Sequence, residues 1–345
     1  MIDNLAKSKK KPLGHGQLPS LASRLPTSDQ QGLNIPGLDR ALLEPVREFV
    51  TRDSKQVRAQ LVRIGFSLAT DHFTSVGPDR ERLLDSLACV VEALHAGSLM
   101  IDDIQDADDM RRGKAALHMQ IGVPRAINAA NWLYFWPTDL LCQQALSPFL
   151  ELEIYRLFHK TMMRAHQGQA LDLGHDMTRT SQHDVFEISM TAIELKTGEL
   201  TRMCTELGAI VGEASSEKRG VLAEFGQRFG VALQAFNDIG ELIPKKEIIN
   251  NSRPLIKPSW VWVVAARELE PTEFTRFQQL MRNPGDSSGE SELVLRRVLA
   301  RATELARVEF ETCMGEINSL VETDAHKLAQ FSLQELAQKV MRAYA

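Results

Sequence analysis

Long apolar runs are scarce in this sequence. The nearest candidate, Trp260 to Ala266, falls far short of the ~18 consecutive residues that would suggest a membrane span, so none is expected. Basic excess is missing too: 40 Lys and Arg stand against 45 Asp and Glu, giving a net charge of −5 and a pI near 6.0. That balance lacks the basic stripe of a nucleic-acid binder and argues against a nucleic-acid partner. The four cysteines, Cys89, Cys142, Cys204 and Cys313, show no CxxC spacing. They suit a reducing, cytoplasmic setting and imply neither a disulfide framework nor a zinc site. There is no Asn-Gly or Asp-Gly hairpin turn, no G-x-G-x-x-G after a strand, and no internal repeat. Near Met1, Lys7, Lys9, Lys10 and Lys11 run into Pro12 and a Gly/Ser/Pro-rich stretch instead of an apolar leader core. Residues 1–35 are therefore expected to form a disordered tail.

Against these absences, 43% hydrophobic and 25% charged residues are those of a globular protein with a sizeable core. From about Leu38 onward, Leu, Ala, Met and Val recur at spacings of three and four, the helical period. Helix-stop chemistry falls at Ser75–Asp79, Gly122–Pro124, Pro137, Ser147-Pro148 and Asn283–Gly289. The expectation is an all-α fold over residues 36–345, a single large helical bundle with its site inside among facing helices.

The most informative stretch is Asp102-Asp103-Ile104-Gln105-Asp106, followed by Arg111-Arg112-Gly113. It ends an apolar, helix-competent segment, Leu94 to Ile101. On a helix Asp102 and Asp106 are i and i+4, so both carboxylates leave one face. Side-by-side carboxylates need a counter-charge, and a hard cation such as Mg²⁺ is bound through one or two carboxylates plus substrate phosphates. The adjacent guanidinia match phosphate oxygens. Acids and arginines together point to a site for metal-complexed diphosphate.

Other clusters follow the same chemistry. Lys55 and Arg58 are i, i+3, so both cations can reach one anion. Lys196 and Thr197, within Glu194–Gly198, offer a cation and a hydroxyl to phosphate oxygens. Gln234 to Glu241 closes a long apolar segment with a second set of oxygen ligands, in which Asn237 and Glu241 are i, i+4.

Taken together these motifs resemble those of the trans (E)-prenyl diphosphate synthases, most closely the animal and fungal geranylgeranyl diphosphate synthases. The resemblance runs from about Leu43 to about Leu242 and includes Lys55–Arg58, His95–Gly113, Gly122–Asn131 and His166–Gln169 with Asp172. It implies a helical bundle of the isoprenoid synthase type with a central active-site cavity. It also implies Mg²⁺-dependent head-to-tail condensation of isopentenyl diphosphate with an allylic diphosphate, with three ions when substrate is bound, and a homodimer. By resemblance, Lys55, Arg58, His95 and Arg112 hold isopentenyl diphosphate. Arg111, Lys196, Thr197 and Gln234 contact the allylic diphosphate, and Arg111 and Lys196 take part in catalysis. Asp102, Asp103, Asp106, Asn237, Asp238 and Glu241 form the metal set. Gly97 and Ser98, five and four residues before Asp102, are small, so a growing chain is not stopped there and a C20 product is expected. Tyr134, Phe135 and His166 match floor positions of that pocket.

The second acidic motif departs from the family's usual DDxxD or DDxxN, because Asn237 replaces the first carboxylate and Glu241 closes the motif. Lys245, Lys246 and Lys257 are candidates for the family's late lysines. Two alternatives stay open. A terpene cyclase on this scaffold would use one allylic diphosphate and need no isopentenyl-diphosphate cations, and a non-catalytic regulatory subunit would tolerate the altered second motif.

Overall fold

The computed structural model describes residues 20–27, 35, 37–70, 77–242, 256–283 and 289–344. Among these the fold is helical nearly throughout, as the periodicity predicts. A short helix α1 (Leu21–Arg24) is followed by a π-helical turn (Asp39–Leu43), α2 (Glu44–Val50), α3 (Val57–Ala69) and the 28-residue α4 (Pro78–Gln105). A two-residue hairpin follows, β1 (Met110–Arg111) with β2 (Lys114–Ala115), then α5 (Leu117–Ile121), α6 (Val123–Cys142) and α7 (Pro148–Gly174). Next, α8 (Gln182–Ile193) passes through a π-helical turn (Glu194–Gly198) into α9 (Glu199–Val211), and α10 (Ser216–Leu242) follows. The remainder is α11 (Trp260–Glu268), α12 (Pro271–Arg282), α13 (Gly289–Glu316), a 3₁₀ turn (Ile317–Leu320) and α14 (Asp324–Tyr344).

The chain packs as two compact units. The first holds the described residues up to Tyr155 together with Leu207–Ala214 and Thr323–Ala329. The second holds Arg156–Glu206, Ser215–Glu322 and the described residues from Gln330 onward.

In the first unit α4 is the central helix. Gly77 and Pro78 set its start, and Asp79 and Glu81 place negative charge in the first turn, where the helix dipole favours it. Leu84, Leu87, Val91, Leu94 and Met100 are buried along it and pack with α3 and α6, where Leu61, Leu68 and Leu133 are also buried. By length and composition α4 is apolar enough to cross a membrane, contrary to the expectation from the sequence, but 67% of its most apolar window is buried inside the fold. It reads as a core helix.

The core of the second unit is aromatic. Trp262 on α11 stands edge-to-face with Phe277 at 5.0 Å between ring centroids and with Phe274 at 6.2 Å. Such pairs contribute about 0.5–1.5 kcal/mol beyond the area they bury. The indole N–H of the neighbouring Trp260 donates to the Ala302 carbonyl at 3.0 Å, which satisfies its one polar atom.

Three expectations change. Pro137 does not break the chain: α6 continues through it with its ring buried, packing offsetting the missing hydrogen bond. Within the stretch read as a tail, Leu21 and Leu25 are buried and Arg47 Nη1 donates to the Ala22 carbonyl at 3.0 Å; the rest of that stretch, apart from residues 20–27 and 35, lies outside the described residues. The hairpin, which no Asn-Gly or Asp-Gly announces, turns on Arg112 and Gly113, both at positive φ (53° and 74°). Such a two-residue turn needs the left-handed region twice, which Gly113 enters freely and Arg112 enters at a cost.

Candidate active site

In the first unit the site is built where α4 ends. Asp102 lies in its last turn and Asp106 is its C-cap, both partly exposed. Asp103, between them in sequence, projects from another side of the helix and is buried. It accepts from Arg111 Nε at 2.5 Å, and Arg111 also reaches Asp108 at 3.4 Å. Burial raises the Asp103 carboxyl above the usual aspartate range, while Arg111 pulls it back. Asp103 is thus the anchor of Arg111 and does not share a face with the other two acids. Its other oxygen, Oδ2, is buried without a hydrogen-bond partner.

Of the residues expected on isopentenyl diphosphate, Arg58, His95 and Arg112 lie within electrostatic reach of one another. Burial holds His95 well below the usual histidine range, and the guanidinia of Arg58, Arg112 and Arg111 press it the same way. His95 is therefore a neutral ring among arginines at neutral pH. Arg112 is lowered by burial and by Arg111, Arg58 and Arg52, with Glu92 opposing. Glu92, one helical turn before His95, is the counter-charge that sequence reasoning passed over. Its Oε1 accepts from the Ala59 N–H at 3.1 Å, in the first turn of α3, and burial raises its carboxyl despite Arg58 and Arg112. The lone acid in the otherwise apolar stretch Leu87–Leu94 was the available signal. Lys55 lies in the non-helical segment just before α3, where its carbonyl accepts from Gln60 Nε2 at 2.8 Å.

Gly97 is small for a reason other than the one the sequence suggested. A Cβ there would sit 2.9 Å from the Ala130 carbonyl oxygen and 3.2 Å from both Leu133 Cβ and Tyr134 Cε1. The glycine lets α4 and α6 approach and does not open a channel. Ser98, half-buried, bonds back to the His95 carbonyl at 2.9 Å. Tyr134 packs beside Gly97, and burial together with the Asp102 charge pushes its hydroxyl up to about 12. Phe135, by contrast, is 72% exposed, and His166 is exposed with Nδ1 2.8 Å from the Met162 carbonyl of its own helix. Neither lines a packed wall in its unit, and of the three only Tyr134 packs into the interior of its unit.

In the second unit Lys196 and Thr197 ride on the π-helical turn between α8 and α9, a distortion often found at functional sites. Lys196 Nζ pairs with Asp172 at 3.2 Å, and Lys257 Nζ lies 3.6 Å from the same carboxylate. Asp172 thus gathers two lysines, and Lys257 is the late lysine the structure describes; Lys245 and Lys246 lie outside the described residues. Thr197 Oγ1 donates to Gln234 Oε1 at 2.8 Å, and Gln234 Nε2 donates to Asp238 Oδ1 at 2.7 Å. Asp238 Oδ2 accepts from the Trp260 N–H at 2.6 Å. Burial pushes the Asp238 carboxyl up to about 7, against the Trp260 and Gln234 hydrogen bonds. This relay ties Thr197 to Gln234 and turns Asp238 toward the start of α11. Asn237, half-buried, and Glu241, exposed, keep the i, i+4 relation on α10.

Among the described residues no group of three or more His, Cys, Asp or Glu side chains could hold a metal ion by itself. Two carboxylates at a helix end suit a hard cation that completes its shell with diphosphate oxygens and water, so Asp102 and Asp106 fit Mg²⁺ brought with substrate.

A sequence profile of the polyprenyl synthetase family matches residues 39–299. A geranylgeranyl pyrophosphate synthase of Eremothecium gossypii is 28% identical over 292 residues, covering 77% of this chain and 87% of that one. Among solved structures, the geranylgeranyl pyrophosphate synthetase of Pyrococcus horikoshii Ot3 superposes with a TM-score of 0.72 at 22% identity, over 93% of this chain and 98% of that one. A polyprenyl synthase of Caulobacter crescentus CB15, solved with calcium and isoprenyl diphosphate, gives 0.67 at 16% identity, over 93% and 92%. The fold is the all-α bundle of these synthases.

Proposed function

Because the chain belongs to the polyprenyl synthetase family of prenyltransferases, which elongate prenyl diphosphates with the help of divalent metal ions, we propose that it makes geranylgeranyl diphosphate. Its substrates are isopentenyl diphosphate and an allylic diphosphate, and its metal is Mg²⁺, three ions with substrate bound. The observation that carries this reading is that Arg58 and Arg112 both act on Glu92 and on His95. A cyclase acting on one diphosphate has no use for that second cationic cluster.

Arg58, Arg112 and Lys55 hold the diphosphate of isopentenyl diphosphate, with neutral His95 donating a hydrogen bond that adds no charge. Lys196 faces the allylic diphosphate, with Asp172 keeping it extended. Arg111, fixed by Asp103, adds positive potential where the leaving group develops charge. Mg²⁺ bound at Asp102 and Asp106 would neutralise the departing diphosphate, and Asn237 and Glu241 are further candidate metal ligands. The apolar helices keep water from the allylic cation until the isopentenyl double bond attacks it. The released diphosphate then accepts the proton whose loss closes the new alkene. Half-buried Ser98 supports passage of a C20 chain and Tyr134 its floor.

A homodimer fits the exposed apolar side chains on α6, Val123, Ile127 and Phe135, which recur at multiples of four residues. Free Cys89, Cys204 and Cys313, all buried, suit a cytoplasmic setting. A second reading, a non-catalytic partner subunit, draws on Asn237 and the inward Asp238. Incubating the purified chain with Mg²⁺, isopentenyl diphosphate and each allylic starter, with products identified by mass, separates the readings. A dominant C20 diphosphate supports the proposal, and no turnover with any starter favours the partner subunit.

A further inference from the structure

Arg52 belongs to none of the motifs, yet it is 4% exposed and its guanidinium donates to a carboxylate and to two backbone carbonyls. Nη2 and Nε grip the Glu48 carboxylate, Nη2 at 2.8 Å, and the guanidinium carbon lies 5.0 Å over the Phe49 ring. Its other bonds go to the hairpin. Nη1 donates to the Arg111 carbonyl at 3.1 Å and Nη2 to the Ala115 carbonyl at 3.0 Å, one acceptor on each strand. Lys114 Nζ completes the clamp on Glu48 Oε1 at 3.0 Å. Burial opposes ionisation of Glu48, but the Arg52 and Lys114 hydrogen bonds outweigh it and lower its carboxyl.

The two carbonyls bracket Arg112-Gly113, the turn in which Arg112 sits at positive φ. A two-residue hairpin with a non-glycine residue in that region is weak by itself. Something outside it must fix where the Arg112 side chain leaves the backbone. The planar fork of an arginine is suited to two carbonyls and a carboxylate at once, which a lysine cannot span.

We propose that Arg52 is a positioning residue for isopentenyl diphosphate: held by Glu48, it pins both strands of the hairpin so that Arg112 stays in the cluster with Arg58 and His95. This rests on the reading of that cluster as the isopentenyl-diphosphate pocket. Arg52 touches no substrate itself. Its loss is felt selectively, because misplacing one phosphate ligand by about 1 Å costs one to two powers of ten in binding or rate.

The test uses the full chain with Arg52→Gln, Arg52→Lys, Arg112→Ala and the double variant Arg52→Gln/Arg112→Ala. Isopentenyl diphosphate binding is measured by calorimetry, and KM is measured for both substrates. Arg52→Gln is expected to raise Kd and KM for isopentenyl diphosphate about tenfold while KM for the allylic substrate moves less than about twofold. Arg52→Lys is expected to fail to rescue, and the double variant to bind no worse than Arg112→Ala alone, the signature of one residue acting through the other. Should Arg52→Gln not fold, Glu48→Gln, at the partly exposed end of the clamp, gives the same selective rise. Equal change in both KM values, or additive losses in the double variant, would overturn the proposal while leaving the pocket intact. Arg112→Ala with unchanged affinity would overturn both the proposal and the pocket reading beneath it.

Discussion

Asp103 Oδ1 receives Arg111 Nε at 2.5 Å, so the middle acid of the first motif is bound to the arginine that follows it. Its neighbours Asp102 and Asp106 are the acids proposed for the cation. Asp103→Ala should therefore act mainly on stability. Removing one partner of a buried pair costs about 3–5 kcal/mol, and the lower end applies because Arg111 is one quarter exposed and keeps Asp108. Chemical denaturation measures this. A full loss of turnover with unchanged stability would return Asp103 to the metal.

Gly97 and Ser98 should separate packing from chain length. Gly97→Ala puts a methyl 2.9 Å from the Ala130 carbonyl, and overpacking of this kind costs about 1–3 kcal/mol. The melting temperature should fall while the product stays C20. Ser98→Phe should leave folding largely intact and shorten the product toward C15. A shortened product from Gly97→Ala at unchanged melting temperature would show that this position faces the chain.

His95 predicts a pH effect. Its folded value lies below the unfolded 6.5, so below pH 6.5 the unfolded chain takes up a proton that the folded chain refuses. Stability from this residue is thus complete above about pH 6.5 and is lost as pH falls toward the folded value. His95→Gln removes that dependence. Between about pH 7.5 and 5.5 the variant should lose less melting temperature than the parent chain. A parent chain no more acid-sensitive than the variant would mean that His95 is already charged.

Asn237 brings a neutral oxygen where a carboxylate would attract a divalent ion more strongly. Asn237→Asp should lower the Mg²⁺ concentration that gives half-maximal rate. Titration of initial rate against Mg²⁺ reads this directly, and an unchanged or higher requirement would mean the position does not face metal.

The parts legible in the sequence are those whose chemistry is local. The i, i+4 acids and the helical period need only neighbours a turn away and α4 carries them as expected, while the adjacent arginines follow on the hairpin. What the sequence hid depends on partners far along the chain. Arg52 reads as a lone loop cation until the carbonyls 59 and 63 residues later are seen on it. Asp238 looks like a ligand until the Trp260 N–H, 22 residues on, claims it. Thr197 and Gln234 each suggest phosphate donors, but 37 residues apart they find one another. Gly97 has no side chain to declare whether it faces a channel or another backbone. Phe135 follows the helical period as well as Leu133 does, and only packing shows which of them is inside.

The central claim is that this chain joins isopentenyl diphosphate to an allylic diphosphate at Asp102 and Asp106. The most direct measurement follows labelled isopentenyl diphosphate into product alongside released diphosphate, in the parent chain and in Asp102→Ala, with and without Mg²⁺. The account predicts one diphosphate released per labelled unit incorporated, a strict Mg²⁺ requirement, and a loss of several powers of ten in rate for the variant at unchanged folding. Allylic diphosphate consumed without incorporation of label, or undiminished incorporation by Asp102→Ala, would contradict it.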